Sequence, residues 1–346
     1  MPTETTTSTT EITPDPLMQL AFGFMGSKVL FAALELDLFT RLAKSGSRNC
    51  TELARELNLH DRSARDFLDT LVALKLLERD GAGRYTNSPL AAQYLDRAQA
   101  SCIAGILDMC NARLYKFWDH LTEALRTGQP QNEAKGGGPD PFAAIYGEPA
   151  RLRQFLSAMT GLSAASARGI AAQFPWGDYK TFADVGTAQG AVPAHLALAH
   201  PHLNGVGFDL AAVRPVFEEY VRERGVADRV RFVAGDFFKD TLPSVDVIIM
   251  GHILHDWDLK TKRQLVAKAY DALPPRGALI VYDAMIDDER RTNVSGLFMS
   301  LNMLIETPGG FDYTPADCHG WLRDAGFRDM TTHRLAGVDS MVVAYR

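Results

Sequence analysis

The sequence predicts an α/β fold, an open and largely parallel sheet with covering helices, preceded by a helical domain that carries a small hairpin. Three observations support this. Thr181–Val185 is a short apolar strand that runs into a Gly186-x-x-x-Gly190 turn and then into Ala191–Ala199, rich in Ala and Leu and helical in pattern. Three more apolar stretches follow, each ending on polar residues, the arrangement in which open α/β sheets bind ligands at their strand tips. Residues 51–86 read as helix, helix and hairpin, a winged-helix pattern.

Residues 1–16 are rich in Thr, Ser and Glu, with prolines and no hydrophobic core. That composition predicts a disordered tail and is no signal peptide. From Leu17 to Ala43, Leu20, Phe24, Val29, Leu30, Ala33, Leu34, Leu38 and Leu42 predict one long helix or two abutting ones. A helix apolar all round is buried, either in its own subunit or against a second one. Thr51 is the expected cap of a helix ending at Asn58, and Asp61 of the next, where Phe67, Leu68, Leu71 and Leu74 recur at helical spacing. Leu76–Glu78 and Arg84–Thr86 then flank Asp80-Gly-Ala-Gly83, a hairpin signal. Domain boundaries are expected at 17–98 for this part and 99–346 for the rest.

Winged helices are common DNA readers, and charge argues against that use here. Between Cys50 and Thr86 stand Arg55, Arg62, Arg65, Lys75, Arg79 and Arg84, against Glu52, Glu56, Asp61, Asp66, Asp69, Glu78 and Asp80. A groove-reading helix needs a basic stripe. The 346 residues carry a net charge of −6, which likewise predicts no nucleic-acid partner. Cys50, Cys102, Cys110 and Cys318 have no C-x-x-C spacing, so neither a disulfide framework nor a zinc site is expected, and a reducing cytoplasm is the simplest compartment. No apolar run reaches the roughly 18 residues expected of a membrane span.

The middle of the chain (99–174) is helical by pattern. One helix is expected over Ala100–Thr127, a loop at Gly136–Pro139, a helix over Pro141–Tyr146, and a long one from Glu148 to Phe174 that places Phe155 and Met159 on one face. Residues 175–346 hold the sheet. After Thr181–Val185, Asn204–Phe208 ends on Asp209 and Leu210, Val230–Val233 on Gly235-Asp236-Phe237-Phe238, and Val245–Met250 on Gly251-His252-Ile253-Leu254-His255-Asp256-Trp257. A helix over Asp258–Ala272, a strand over Gly277–Tyr282, helices over Asn293–Glu306 and Pro315–Asp324, and an antiparallel pair, Arg328–Leu335 with Ser340–Tyr345, complete it.

The glycine turn fits a nucleotide poorly and a cationic adenosyl ligand well. Dinucleotide sites use G-x-G-x-x-G, whereas Ala188 and Gln189 fill the middle here. Asp184 lies at the strand end, two residues before Gly186, where a carboxylate suits positive charge. S-adenosylmethionine carries an ammonium and a sulfonium. Asp209 is positioned for ribose hydroxyls, and Asp236 with Phe237 for an adenine.

With D-V-G-T-A-Q-G, Asp209, G-D-F-F and above all I-L-H-D-W-D, the chain resembles the S-adenosylmethionine-dependent O-methyltransferases of the caffeic-acid and plant small-molecule type, which have bacterial relatives in antibiotic biosynthesis. The resemblance spans nearly the whole chain. It implies a Rossmann-like seven-stranded sheet, an N-terminal homodimerisation domain and a small aromatic acceptor. His255 matches the family's general base. Asp283 and Asp312 stand where two glutamates usually orient it, each one methylene short. The resemblance also puts Phe155 and Met159 against the acceptor and Ser163 near the cofactor. Asn302 and Met303 are further acceptor candidates. Gly251 occupies a cofactor-side position where plant members often carry Lys, and Ala188 replaces a motif glycine, tolerable only at negative φ. His252 forms H-x-x-H with His255, but no further ligand pattern supports a metal, and His252 is expected to be structural or near the cofactor. Methylation of carbon or nitrogen, a ligand-sensing regulator and a nicotinamide-dependent dehydrogenase are the competing readings.

Overall fold

A computed structural model describes residues 12–99, 101–133, 135 and 145–346. Most of the expected tail, the 136–139 loop and the start of the 141–146 helix lie outside the described residues. The chain forms two compact units, one ending at Ala104 and the other running from Gly105 to Arg346.

In the first unit α1 spans Asp15–Glu35, so the last two residues assigned to the tail already form helix; Pro16 fits the first turn because its N–H is not needed there. Its mean hydropathy reaches 1.6 over 18 residues, which by length and composition is enough to cross a bilayer. That corrects the expectation of no such segment, because Gln19, Ser27 and Lys28 interrupt the apolar run without much lowering its average. Asp37, at φ +54, breaks the chain between α1 and α2 (Leu38–Ser45). The caps of α3 (Cys50–Glu56) and α4 (Asp61–Ala73) each fall earlier than expected. Asn49, not Thr51, caps α3 in a reciprocal box with Glu52 (2.8 and 2.9 Å), and the His60 ring, not Asp61, accepts the Arg62 N–H at 3.1 Å. β1 (Arg48–Asn49), β2 (Leu77–Arg79) and β3 (Arg84–Asn87) form a sheet in the order β1-β3-β2, followed by α5 (Pro89–Tyr94). Asp80 closes the hairpin by accepting the Ala82 and Arg84 N–H groups.

At the start of the second unit the single helix expected over 100–127 is interrupted. α6 (Ala104–Met109) widens into a π-helical turn at Cys110–Leu114, followed by α7 (Tyr115–Phe117), a 3₁₀ turn at Trp118–His120 and α8 (Leu121–Thr127). The wide turn carries Arg113, which is bidentate to Glu133 at 2.8 Å and 3.2 Å from Glu306. α9 (Pro149–Gln173) leads into a seven-stranded sheet of order β6-β5-β4-β7-β8-β10-β9. Its strands are β4 (Thr181–Val185), β5 (Asn204–Asp209), β6 (Val230–Ala234), β7 (Val247–Gly251), β8 (Ala278–Asp283), β9 (Arg328–Arg334) and β10 (Ser340–Tyr345). The first five are parallel, and β10 runs antiparallel between β8 and β9.

Along β7, Ile248 and Met250 pack on one face with Leu265 and Leu322, while Val247 and Ile249 pack on the other with Ile170 and Leu196. Both faces are therefore covered, which is why these strands read as continuous apolar runs. Strand order reverses between β4 and β7. That reversal opens a crevice at their C-terminal ends, where a ligand can enter.

Candidate active site

Asp184 sits one residue from the end of β4 and is buried, so its carboxylate faces the crevice out of water. Burial raises its pKa to about 7, against a smaller lowering by a bond with Thr187. The following turn needs small residues. A Cβ on Gly186 (φ +74) would lie 2.2 Å from the Ile253 side chain, and Gly190 (φ +93) caps α10 (Ala191–Ala199) against Phe217. Ala188, expected to hold a negative φ, takes +50 instead. That left-handed turn costs on the order of 1 kcal/mol for a residue with a Cβ. It lets the Ala188 N–H donate to Asp209 at 2.9 Å, while Leu210 N–H donates to the other carboxylate oxygen at 2.7 Å. Burial pushes Asp209 up to about 6, and these two bonds partly oppose it.

Beyond β6, Asp236 accepts the Phe238 N–H at 2.9 Å and pairs with Lys239 at 2.9 Å, and the Lys239 bond holds it below the usual range. Phe237, Phe238 and Trp257 form an aromatic group with centroids 4.6 to 6.1 Å apart. At the end of β7, Gly251 pairs across the sheet with Tyr282, whose ring carbons would lie 1.9 Å from a Cβ at 251. Tyr282 thus fills the space into which a side chain at 251 would project, which accounts for the absence of a lysine.

These tips enclose a cavity of about 290 Å³, close to the ~300 Å³ lower end of small-molecule sites. Its walls include Asp184, Gly186, Asp209, Leu210, Asp236, Phe237, Gly251, Ser163, Phe155 and Met159. Ten of the sequence-predicted residues therefore meet around one space. Gly190, His255, Asp283, Asp312, Asn302 and Met303 do not line it. Asn302 instead accepts the Trp118 indole N–H at 3.0 Å, and Met303 is buried on the same helix, Val294–Glu306. Tyr146, Trp257, Asp256 and Tyr282 also line the cavity and escaped the sequence reading, while His252, expected to be structural or near the cofactor, lines it too. The H-D-W motif points to Asp256 and Trp257. Tyr282 depends on strand register, and Tyr146 stands alone without a motif.

Behind the wall lies a cluster of buried acids. The His255 Nδ1 is 3.3 Å from Asp312 and 3.7 Å from Asp283, and its Nε2 is 3.5 Å from Asp256, which itself lines the cavity. Burial alone would lower the imidazole pKa, but Asp283, Asp312 and Asp256 outweigh it and raise it to about 10. Burial raises Asp283 to about 6, and the Tyr313 hydroxyl donates to it. Asp312 thus comes within hydrogen-bond distance of His255 despite the missing methylene, whereas Asp283 stops at 3.7 Å and makes no hydrogen bond to the ring. His252 (φ +53) places its Nε2 3.3 Å from Asp339, which Ser166 also binds at 2.6 Å.

The donor set fits S-adenosylmethionine. A desolvated Asp184 carboxylate on the cavity wall suits a cation, a buried Asp209 at the second strand tip suits a diol, and the aromatic group suits a flat base.

Comparison with known proteins agrees with this geometry. Residues 118–328 match an O-methyltransferase domain and residues 18–97 an O-methyltransferase dimerisation domain. The tetracenomycin polyketide synthesis 8-O-methyl transferase of Streptomyces glaucescens is 44% identical over 95% of this chain and 96% of its own length. An N,N-dimethyltransferase of Streptomyces rimosus is 37% identical, covering 95% of this chain and 96% of its own. Human N-acetylserotonin methyltransferase, solved in complex with S-adenosylmethionine, superposes with a TM-score of 0.89 at 29% identity over 98% of this chain and 99% of its own. The matches to both domains, together with a relative 44% identical over nearly the whole chain, make this protein a member of the S-adenosylmethionine-dependent O-methyltransferase family.

Proposed function

We propose that this enzyme methylates a phenolic hydroxyl of a small polyketide-type or naphthoic aromatic, with His255 as the general base. The observation that carries the reading is the orientation of His255. Asp312 and Asp283 stand at Nδ1, which favours keeping an N–H there, and Nε2, beside Asp256, is the atom that must be deprotonated for the ring to act as base. Asp184 would hold the cationic end of the cofactor, Asp209 its ribose, and Asp236 with Phe237 its adenine, near Leu210, Gly251 and Ser163. When bound, S-adenosylmethionine supplies a methyl group activated on a cationic sulfur.

The protein must therefore orient the acceptor and remove one proton. Phe155 and Met159 line the cavity, and Asn302 and Met303 lie within the helix Val294–Glu306, outside the cavity wall; all four are assigned to the acceptor side. A phenol titrates near ~10 and an ordinary imidazole near ~6.5, a mismatch of about 5 kcal/mol. The acid cluster removes most of that mismatch by raising His255 to about 10. The consequence is a base that is largely protonated at neutral pH, so the rate should climb as pH rises.

Residues 17–98 are assigned to homodimerisation and 99–174 to the acceptor region. Methylation of nitrogen is the second reading, because a relative 37% identical is named an N,N-dimethyltransferase. Incubation with phenolic, naphthoic and amine acceptors, with product mass and NMR assignment of the new methyl, separates the two. His255→Ala should lower kcat by 10² or more, in the ~10²–10⁴ range of a general base, while S-adenosylhomocysteine still binds within about threefold. An unchanged kcat would remove His255 from the chemistry.

A further inference from the structure

Two imidazoles and a carboxylate converge behind the cavity wall. The Nδ1 atoms of His255 and His252 stand 3.7 and 3.9 Å from the same oxygen, Asp283 Oδ1. One donor atom from each of the three residues lies within 4.8 Å of the other two. All three side chains are nine-tenths or more buried. Yet His252 Nδ1 and Asp283 Oδ1 have no hydrogen-bond partner among the described residues. Buried polar atoms in that state are costly, and one cation between them would satisfy both.

The far side of each group is already held. The Nε2 of His252 is 3.3 Å from Asp339, to which Ser166 donates at 2.6 Å. The Nε2 of His255 is 3.5 Å from Asp256, and the Tyr313 hydroxyl donates to Asp283 Oδ2. Carboxylates behind imidazoles, and a donor behind a carboxylate, are the supports by which metal sites aim their ligands. Zinc bonds of ~2.0–2.2 Å at tetrahedral angles set donors about 3.4 Å apart, so the two separations need to close by only about 0.3–0.5 Å. Two imidazoles and one carboxylate suit zinc or cobalt rather than ions that take oxygen alone. His252 lines the cavity, which gives a metal its way in. The H-x-x-H spacing could not disclose the third donor, because Asp283 joins the pair only through the alignment of β7 with β8.

We propose that His252, His255 and Asp283 form an inhibitory site for a divalent transition metal of the zinc type. The metal takes the place of the proton on His255 Nδ1, and that proton leaves to solvent. The ring keeps its one hydrogen on Nε2, so no lone pair is left there to accept a proton from the methyl acceptor. That consequence rests on His255 being the base; the metal site itself does not.

The test uses the full chain, freed of metal with a chelator and titrated with Co²⁺. One equivalent should bind, with the visible bands of a four-coordinate nitrogen and oxygen site and no thiolate-to-cobalt band, and Zn²⁺ should displace it. His252→Gln and Asp283→Asn should each weaken binding by at least about tenfold, and Asp339→Asn, which removes only a support, by about 10- to 100-fold. Where a variant is marginally stable, melting with and without Zn²⁺ gives the same reading, because bound metal raises the parent's melting temperature and should not raise that of His252→Gln. Saturating Zn²⁺ should lower the parent's kcat by about 10² or more, as loss of a general base does, and chelation should restore it. Mg²⁺, which prefers six oxygens, should neither bind nor inhibit. Absence of the Co²⁺ bands, or equal affinity in parent, His252→Gln and Asp283→Asn, would overturn the proposal and leave the base assignment standing. Metal held by these residues with kcat unchanged would instead sink the base assignment, and the inhibitory role with it.

Discussion

A single carboxylate links the pH of the medium to cofactor affinity. Asp184 is raised to about 7 by burial. Its folded value lies above the ordinary ~3.9 of an aspartate, so the free protein loses stability as pH rises from about 4 to 7, because the charge must form out of water. A cation in the cavity reverses that cost. Below pH 7 the group is protonated and neutral and the attraction fades; above it the attraction is complete. Calorimetric titration of S-adenosylmethionine should therefore show Kd flat above about pH 7.5 and rising as pH falls, up to tenfold per unit from this one proton. Asp209, at about 6, steepens the acid side. Asp184→Asn should bind weakly with little pH dependence through neutrality. A parent Kd that does not change between pH 5.5 and 8.5 would separate Asp184 from cation binding.

At the scale of elements, the crevice is set by how β7 and β8 register. Gly251 stands opposite Tyr282, and a Cβ there would collide with ring atoms at 1.9 Å. Gly251→Ala should destabilise the protein by about 2 kcal/mol, within the range for overpacked sites, read as a fall in melting temperature. Tyr282→Phe cannot relieve the clash, since the atoms met include ring carbons. Tyr282→Ala can, so the double variant should cost less than the two single changes added together, and strict additivity would contradict the packing described. The same pair explains what sequence could and could not disclose. β4, β5, β7 and β8 were legible as apolar runs between turn signals, and their polar ends predicted the cavity walls from Asp184 to Gly251. Tyr282 was read only as strand, because its place at the site comes from register with another strand. The helix over 100–127 was overextended, because its apolar pattern continues through a π turn that Arg113 and its two glutamates accommodate. Ala188 was misjudged for a similar reason: its positive φ is fixed by a bond to Asp209, 21 residues away.

At the scale of the whole molecule, α1 carries the strongest unmet demand. Leu17, Leu20 and Phe22 are 71%, 75% and 49% exposed, and Met18 and Met25 are also exposed. Only 17% of its most apolar 18-residue window is buried within the chain. Apolar surface on this scale marks an interaction site, and a helix apolar all round needs cover on more than one side. The helix falls within residues 18–97, which match a dimerisation domain, so a second copy is the cover that fits, with a bilayer as the physical rival. Burying Leu17, Leu20 and Phe22 would contribute about 1.5–3 kcal/mol each per protomer, enough to hold a dimer at micromolar concentration once the entropy of association is met. Leu20→Glu combined with Phe22→Glu should convert the dimer to monomer by light scattering after size exclusion, with the S-adenosylhomocysteine Kd little changed because the cavity is built entirely from residues 146–282. The two coverings separate in detergent-free buffer with added vesicles. A dimer cover predicts a soluble dimer that does not float with the lipid, whereas monomeric parent protein that does float would assign α1 to a membrane surface.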